Sequence, residues 1–313
     1  MVAAVVLLHL VACTAEAPAS RAGQDGTAAV PATAAVDAAY RASIERWREQ
    51  READLRDPDG WLSFAGSGTL RAGTHRVGSD PGSDIVVPGG PARWGVLHVD
   101  ADDVLRFDAA PGAGVTVDGK AFERTPLLTQ LDAGGPTAIH AGAQRFYVVK
   151  TGDLYGWRFR DPASPALRAF EGVPHFPVDP SWRIDARWEP FPEPRELQLA
   201  TSNGTLKAMR VPGRAIFERG GERHALLAVR EAGEDQLFFI FSDRSSGRDS
   251  YGGGRFLYTA LPSNGRVALD FNKAENPPCA LNGHVVCPLA PPGNRLALRI
   301  AAGEKTYPRT AGK

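Results

Sequence analysis

The sequence predicts a mainly β protein, built as two packed sandwich- or barrel-like halves with one amphipathic helix at the N-terminal side. Three observations carry this. Glycine and proline, 34 and 25 of 313 residues, are spread along the whole chain and place turn signals at intervals of roughly eight to twelve residues, the spacing of an all-β chain. Between those turns stand short runs rich in Val, Ile, Leu and aromatic residues, too short for helices. The composition, 43% hydrophobic and 23% charged, supplies enough apolar side chains for two moderate cores.

The chain opens on an apolar run, Val2 to Val11, too short to span a hydrocarbon layer of about 30 Å as a helix but suited to a secretory signal. Residues 1–12 are therefore expected to be a signal peptide. The run ends Leu10-Val11-Ala12-Cys13, which resembles the lipobox of bacterial lipoproteins. That resemblance implies cleavage before Cys13, lipidation of its thiol and a membrane anchor, although no Lys or Arg precedes the run. A plain signal peptide with an incidental cysteine is the alternative. Residues 13–35, rich in Ala, Thr and Pro, have the composition of a disordered tether reaching roughly 25 Å.

In residues 36–56, Tyr40, Ile44 and Trp47 fall at helical spacing among Arg, Glu and Gln, predicting a helix whose aromatic stripe packs on the β body. Asp57-Pro58-Asp59-Gly60 ends it. Residues 57–161 read as a β-sandwich with strands at 74–77, 84–87, 95–99, 104–107, 115–117, 138–140 and 145–149. Gly114 to Lys120 has the glycine and lysine spacing of a phosphate-binding loop, but Ala121 stands where Ser or Thr is required and Val115-Thr116-Val117 alternates as a strand. This stretch is a strand and a turn. Eight prolines crowd residues 162–194, forcing extended backbone, read as a crossover into a second β-domain at 195–313. The strand at 182–186 feeds it, and further strands are expected at 196–199, 207–211, 225–230, 236–242 and 266–271.

Equal numbers of basic and acidic residues, 36 each, and the absence of a Lys/Arg cluster exclude a polyanion-tracking surface, so nucleic acid is not an expected partner. Nothing in the sequence calls for a cofactor. With Cys13 taken by lipid, Cys279 and Cys287 remain as an even pair in an oxidising compartment, which predicts a disulfide. Metal binding by Cys279, His284 and Cys287, or two free thiols, are the alternatives.

The loop around that pair, Leu269 to Leu296, holds four asparagines and five prolines and cannot be a helix or a central strand. Beside it, Asp243, Tyr251, Arg255, Asp270, Asn272, Asn276 and Asn294 each stand at a strand end or turn and form the candidate ligand-binding set. Arg255 suits a carboxylate or sulfate. The same residues also read as turn caps and loop ties, with Arg255 and Asp270 as a cross-strand ion pair. There is no Gly-x-Ser-x-Gly elbow and no His-Glu-x-x-His, and His75, His98, His140, His175 and His224 stand singly. A ligand-binding or envelope-interaction module outside the cytoplasm is therefore the first reading; a hydrolase with a pocket beside Cys279 and Cys287 is the second.

Two family resemblances bear on this. Val77-Gly-Ser-Asp-Pro-Gly-Ser-Asp-Ile-Val-Val-Pro88, with Asp118-Gly119 further on, resembles forkhead-associated domains, which implies a β-sandwich scaffold. Pro91 and Trp94 stand where that family holds phosphate, so phosphopeptide binding is not implied. Tyr251-Gly-Gly-Gly-Arg255, Leu269-Asp-Phe-Asn-Lys-Ala-Glu-Asn-Pro-Pro-Cys279, Cys287-Pro-Leu and Ala302-Gly-Glu-Lys305, with Arg51-Glu-Ala-Asp-Leu55 and Phe176-Pro-Val-Asp-Pro-Ser-Trp-Arg183 upstream, resemble the bacterial domain-of-unknown-function family 1684. That resemblance runs over nearly the whole mature chain and implies kinship without an activity.

Overall fold

The computed structural model describes residues 32–100, 104–230 and 233–308, so the expected signal peptide, Cys13 and most of the tether lie outside the described residues. Helix α1 (Ala32–Leu55) begins ahead of the expected Val36 and stops where foreseen, with Gly60 and Asp57 closing a turn (Gly60 N to Asp57 O, 2.8 Å). Among the described residues no helix is long and apolar enough to cross a membrane.

The N-terminal half is a sandwich of strands β1 (Phe64–Leu70), β2 (Gly73–Gly78), β3 (Ile85–Val86), β4 (Gly95–Val99), β5 (Leu105–Ala109), β6 (Thr116–Val117), β7 (Lys120–Ala121), β8 (Arg124–Pro126), β9 (Ile139–Ala141), β10 (Gln144–Thr151) and β11 (Leu154–Arg160). They form a six-stranded sheet, β1-β11-β10-β9-β6-β7, and a five-stranded sheet, β3-β2-β4-β5-β8. Alternation puts Val77, Leu97 and Phe107 of one sheet against Phe146, Val148 and Phe159 of the other, around a fully buried Trp94. The phosphate-loop look-alike is the β6–β7 hairpin, with Asp118 and Gly119 both at positive φ (51° and 74°), as a two-residue turn between twisted strands requires.

β1 carries no sequence signal because of Gly66 and Gly68. Both are needed: the Trp157 ring from β11 lies across them, and a Cβ on Gly68 would stand 2.5 Å from the indole Nε1.

After the short helix α2 (Pro165–Arg168), capped by Ser164, the second half comprises β12 (Arg183–Ala200), β13 (Leu206–Arg219), β14 (Glu222–Ala228), β15 (Gln236–Phe241), β16 (Arg255–Ala260) and β17 (Arg266–Asp270). One sheet runs β14-β13-β12-β17, and the β15–β16 pair joins it through the bridge Val229–Phe238. Ala186, Phe217, Leu226, Phe239, Leu257 and Leu269, one from each strand, meet in a single interior. The result is a half-barrel, and the molecule is mainly β, as expected.

The proline-rich crossover turns out to be strand for part of its length. β12 passes through Pro190, Pro192 and Pro194 because its pairing with β13 jumps from Pro190–Gly213 to Arg195–Val211, leaving residues 191–194 bulged out of the ladder where no amide is required. Its pairing with β17 stops at Arg187, so beyond that point β12 is an edge. The distal β12–β13 arm then packs Leu199, Met209 and Val211 against Cys279 and Cys287.

Helix α1 precedes the sandwich in sequence yet docks on the second half. Ile44 is fully buried, Tyr40 donates to Asp270 (2.7 Å) and Arg48 to the Phe176 carbonyl (2.8 Å).

Candidate functional site

The seven polar residues expected around the cysteine loop are all near it, but six of them fall into four groups and the seventh, Tyr251, stands beside Cys279. In the first, Asp243 follows the end of β15 at Phe241 and the chain returns through Gly254, whose φ of +96° and 2.6 Å approach of a Cβ placed there to the Phe241 carbonyl exclude other residues. This delivers Arg255 into the interior with no exposed surface. Its partner is Asp243 (3.1 Å), not the expected Asp270. Arg255 also donates to the carbonyls of Ile300 (3.0 Å) and Ala302, while Asp243 accepts from the Ile300 amide (2.7 Å) and Ser245 Oγ (2.9 Å). Burial pulls the guanidinium below its usual range and Asp243 opposes this. The pair pins the C-terminal tail to β15 and β16 and faces no solvent.

In the second cluster, Asp270 caps the turn after β17 and accepts from Tyr40, while Asn272, fully buried, donates to Tyr40 Oη (2.9 Å) and the Asp179 carbonyl (2.8 Å) and accepts from the Asp179 amide (3.0 Å). Burial and Asp270 push the Tyr40 phenol above its ordinary range. Asn294, the third, replaces a missing backbone strand: it accepts from the Leu227 amide (2.7 Å) and donates to the carbonyls of Leu227 (2.9 Å) and Ile240 (2.8 Å).

Asn276, the fourth, leads to residues not foreseen as a site. Its amide donates to Glu304 (2.6 Å) and its side chain to the Lys305 carbonyl (2.8 Å). Arg51, from α1, lies 3.2 Å from Glu304 and 3.5 Å from Glu275, so one guanidinium faces two carboxylates. Glu304 is fully buried and the Glu275 side chain 14% exposed. Burial, reinforced by Glu304 and Asp54 and opposed by Arg51, raises Glu275 to about 7; burial also raises Glu304. The available signal for Glu304 was its place in the Ala302–Lys305 stretch; Arg51 lies far from the cysteines in sequence.

Cys279 lies in α3 (Pro278–Leu281), a single helical turn started by Pro278 inside the stretch read as non-helical, and it and Cys287 are both buried and unbonded, without the expected disulfide. They are nonetheless neighbours: the Cys279 amide donates to Cys287 Sγ at 3.2 Å, and Tyr251 Oη lies 3.9 Å from Cys279 Sγ. His284, the third residue of the metal alternative, is turned to Ser67 of the sandwich (3.2 Å). Among the described residues no group of three or more His, Cys, Asp or Glu side chains converges to hold a metal.

An open cleft lies elsewhere. On the N-terminal sandwich, Val104, Leu127, Leu128, Leu131 and Tyr155, with Lys150 over the Tyr155 ring (4.7 Å), line a cavity of about 480 Å³. Leu131 is 68% and Val104 53% exposed.

No curated protein matches the chain. A solved structure, the solution NMR structure of an uncharacterized protein from Haloarcula marismortui, is 33% identical over 47% of this chain and 83% of its own, with a TM-score of 0.40. A family model described as "Protein of unknown function (DUF1684)" matches residues 168–305, a narrower span than the expected near-whole mature chain. It takes in the half-barrel, the cysteine loop and Glu304, and stops short of α1 and the sandwich. Residues 168–305 are thus the part of the chain that matches the family of unknown function DUF1684.

Proposed function

We propose that the chain is a lipid-anchored, extracytoplasmic binding module of the cell envelope, whose ligand seat is the apolar cleft of the N-terminal sandwich. The carrying observation is a contrast in how side chains are used. The polar residues beside the cysteine loop are spent on internal bonds, whereas Leu128, Leu131 and Val104 are left exposed around a cavity of about 480 Å³. A cleft of that volume falls within the size range of small-ligand sites, and here the lining suits an apolar or amphiphilic one. The Leu-Val-Ala-Cys13 run supplies the anchor.

The test uses the apolar fluorophore 1-anilinonaphthalene-8-sulfonate with the purified chain. Saturable binding is expected, weakened at least tenfold in Leu131→Asp with an unchanged circular dichroism spectrum. Equal binding by both proteins overturns the cleft. Absence of acyl chains on Cys13 in membrane-purified protein overturns the anchor.

Two finer readings go with this. The sandwich is proposed as a degenerate forkhead-associated-like scaffold, supported by its two facing sheets, with Trp94 buried in the core rather than facing a phosphate. The family relationship is proposed to extend to α1, supported by the contact of Arg51 with Glu304 inside the matched segment.

A further inference from the structure

We infer that Cys279 and Cys287 are a thiol–disulfide exchange site, with a small disulfide as co-substrate, whose oxidation buckles the two halves of the molecule together. The inference stands on where each cysteine is anchored. Cys287 is tied to the end of β12: its amide donates to Ser202 Oγ (3.1 Å), its carbonyl accepts from the Ser202 amide (2.8 Å), and Leu289 N donates to the Ala200 carbonyl (2.8 Å). Cys279 sits in α3, and α3 is tied to the sandwich: its cap, Asn282, donates to the carbonyls of Trp61 (3.1 Å) and Phe64 (2.8 Å). The two cysteines therefore meet where the barrel arm and the sandwich come together, the Cys279 amide on Cys287 Sγ (3.2 Å) and the sulfurs unjoined.

The pair is also chemically unequal. The Cys287 thiol, by donating to the Cys279 sulfur, lowers Cys279 to about 7, and Tyr251 and Ser202 add to the effect; the same interaction and burial push Cys287 up. Cys279 is therefore assigned the attacking role and Cys287 the resolving one. A thiolate near neutral pH is the attacking species in exchange. Cys279 attacks one sulfur of a disulfide RSSR, the S–S bond breaks and RS⁻ leaves. Cys287 then loses its proton to solvent and attacks the Cys279 sulfur of the mixed disulfide, displacing the second RS⁻. Two thiols give up two electrons and two protons, and RSSR becomes two RSH.

The experiment uses the full chain in buffers of reduced and oxidised glutathione, quenched in acid, alkylated and mapped by mass spectrometry. Oxidation is expected to join the peptides of Cys279 and Cys287 with loss of two hydrogens. The Cys287→Ser variant is expected to accumulate glutathione on Cys279, whereas Cys279→Ser accumulates at least tenfold less on Cys287. Amide exchange at residues 200–202 is expected to slow at least threefold on oxidation. Thiols that stay reduced in excess oxidised glutathione, a bond formed between two chains, or equal labelling of the two single variants overturns the inference. The fluorophore test of the cleft is read separately, so either can fail without the other.

Discussion

At the scale of single residues, every Asp, Asn and Arg candidate near the cysteine loop does the tying work that its residue type is also known for. Which of the two roles a buried Asn or Arg takes depends on where its side chain points, and that is set by tertiary approach rather than local sequence. Asn294 shows the point: its bonds reach Leu227 and Ile240, from strands far away in the chain. Arg255 and Asp243 should behave as a buried pair, for which removing one partner strands the other charge. Asp243→Asn is expected to lower unfolding free energy by about 3–5 kcal/mol in urea titrations, and a near-wild-type midpoint would contradict the pairing. Glu275 makes a pH prediction. Its carboxyl is raised in the folded state to about 7, so the fold binds a proton that the unfolded chain releases, and stability falls as pH climbs from the ordinary carboxylate range through 7. His175, lowered by burial to about 4, acts oppositely, costing stability as pH drops from its ordinary value. The diagnostic is therefore the difference between wild type and Glu275→Gln, which should grow from pH 5 to pH 8 in favour of the variant.

At the scale of elements, the strands with clean alternation, such as β4 and β10, were legible because a half-buried sheet imposes period two. Those that broke the pattern were not. β1 hides behind Gly66 and Gly68, whose role appears only when Trp157 is laid over them. β12 hides behind prolines that its bulge tolerates. Gly68→Ala is expected to displace the indole, and the shift should register as altered near-ultraviolet circular dichroism with the far-ultraviolet spectrum kept. Helix α1 was legible from Tyr40, Ile44 and Trp47, though its dock was not. Ile44→Ala, opening a cavity in that fully buried contact, is expected to cost about 2–5 kcal/mol, measured by thermal or urea unfolding.

At the scale of the whole molecule, the division into two β halves was readable from the density of turn signals, while the manner of their joining was not, because it depends on pairs such as His284–Ser67 and Asn282–Phe64 that no local spacing announces. The half-barrel borrows α1 from the far end of the chain. Residues 168–305 produced alone, lacking Tyr40, Arg48 and Arg51, are therefore expected to show lower amide protection at 270–276 than the same residues in the full chain, with partial recovery when a peptide of residues 37–56 is added. Equal protection with and without the helix would show that the docking contributes nothing.

The reach of Arg51 to Glu304 has a consequence for biosynthesis. A ribosome, or a secretion channel, releases the helix long before Glu304, so the sandwich can close early while Arg51 waits through some two hundred and fifty residues for that carboxylate. A nascent chain halted before position 300 would carry a finished N-terminal half and an unclaimed amphipathic segment, the kind of surface that chaperones hold and proteases recognise.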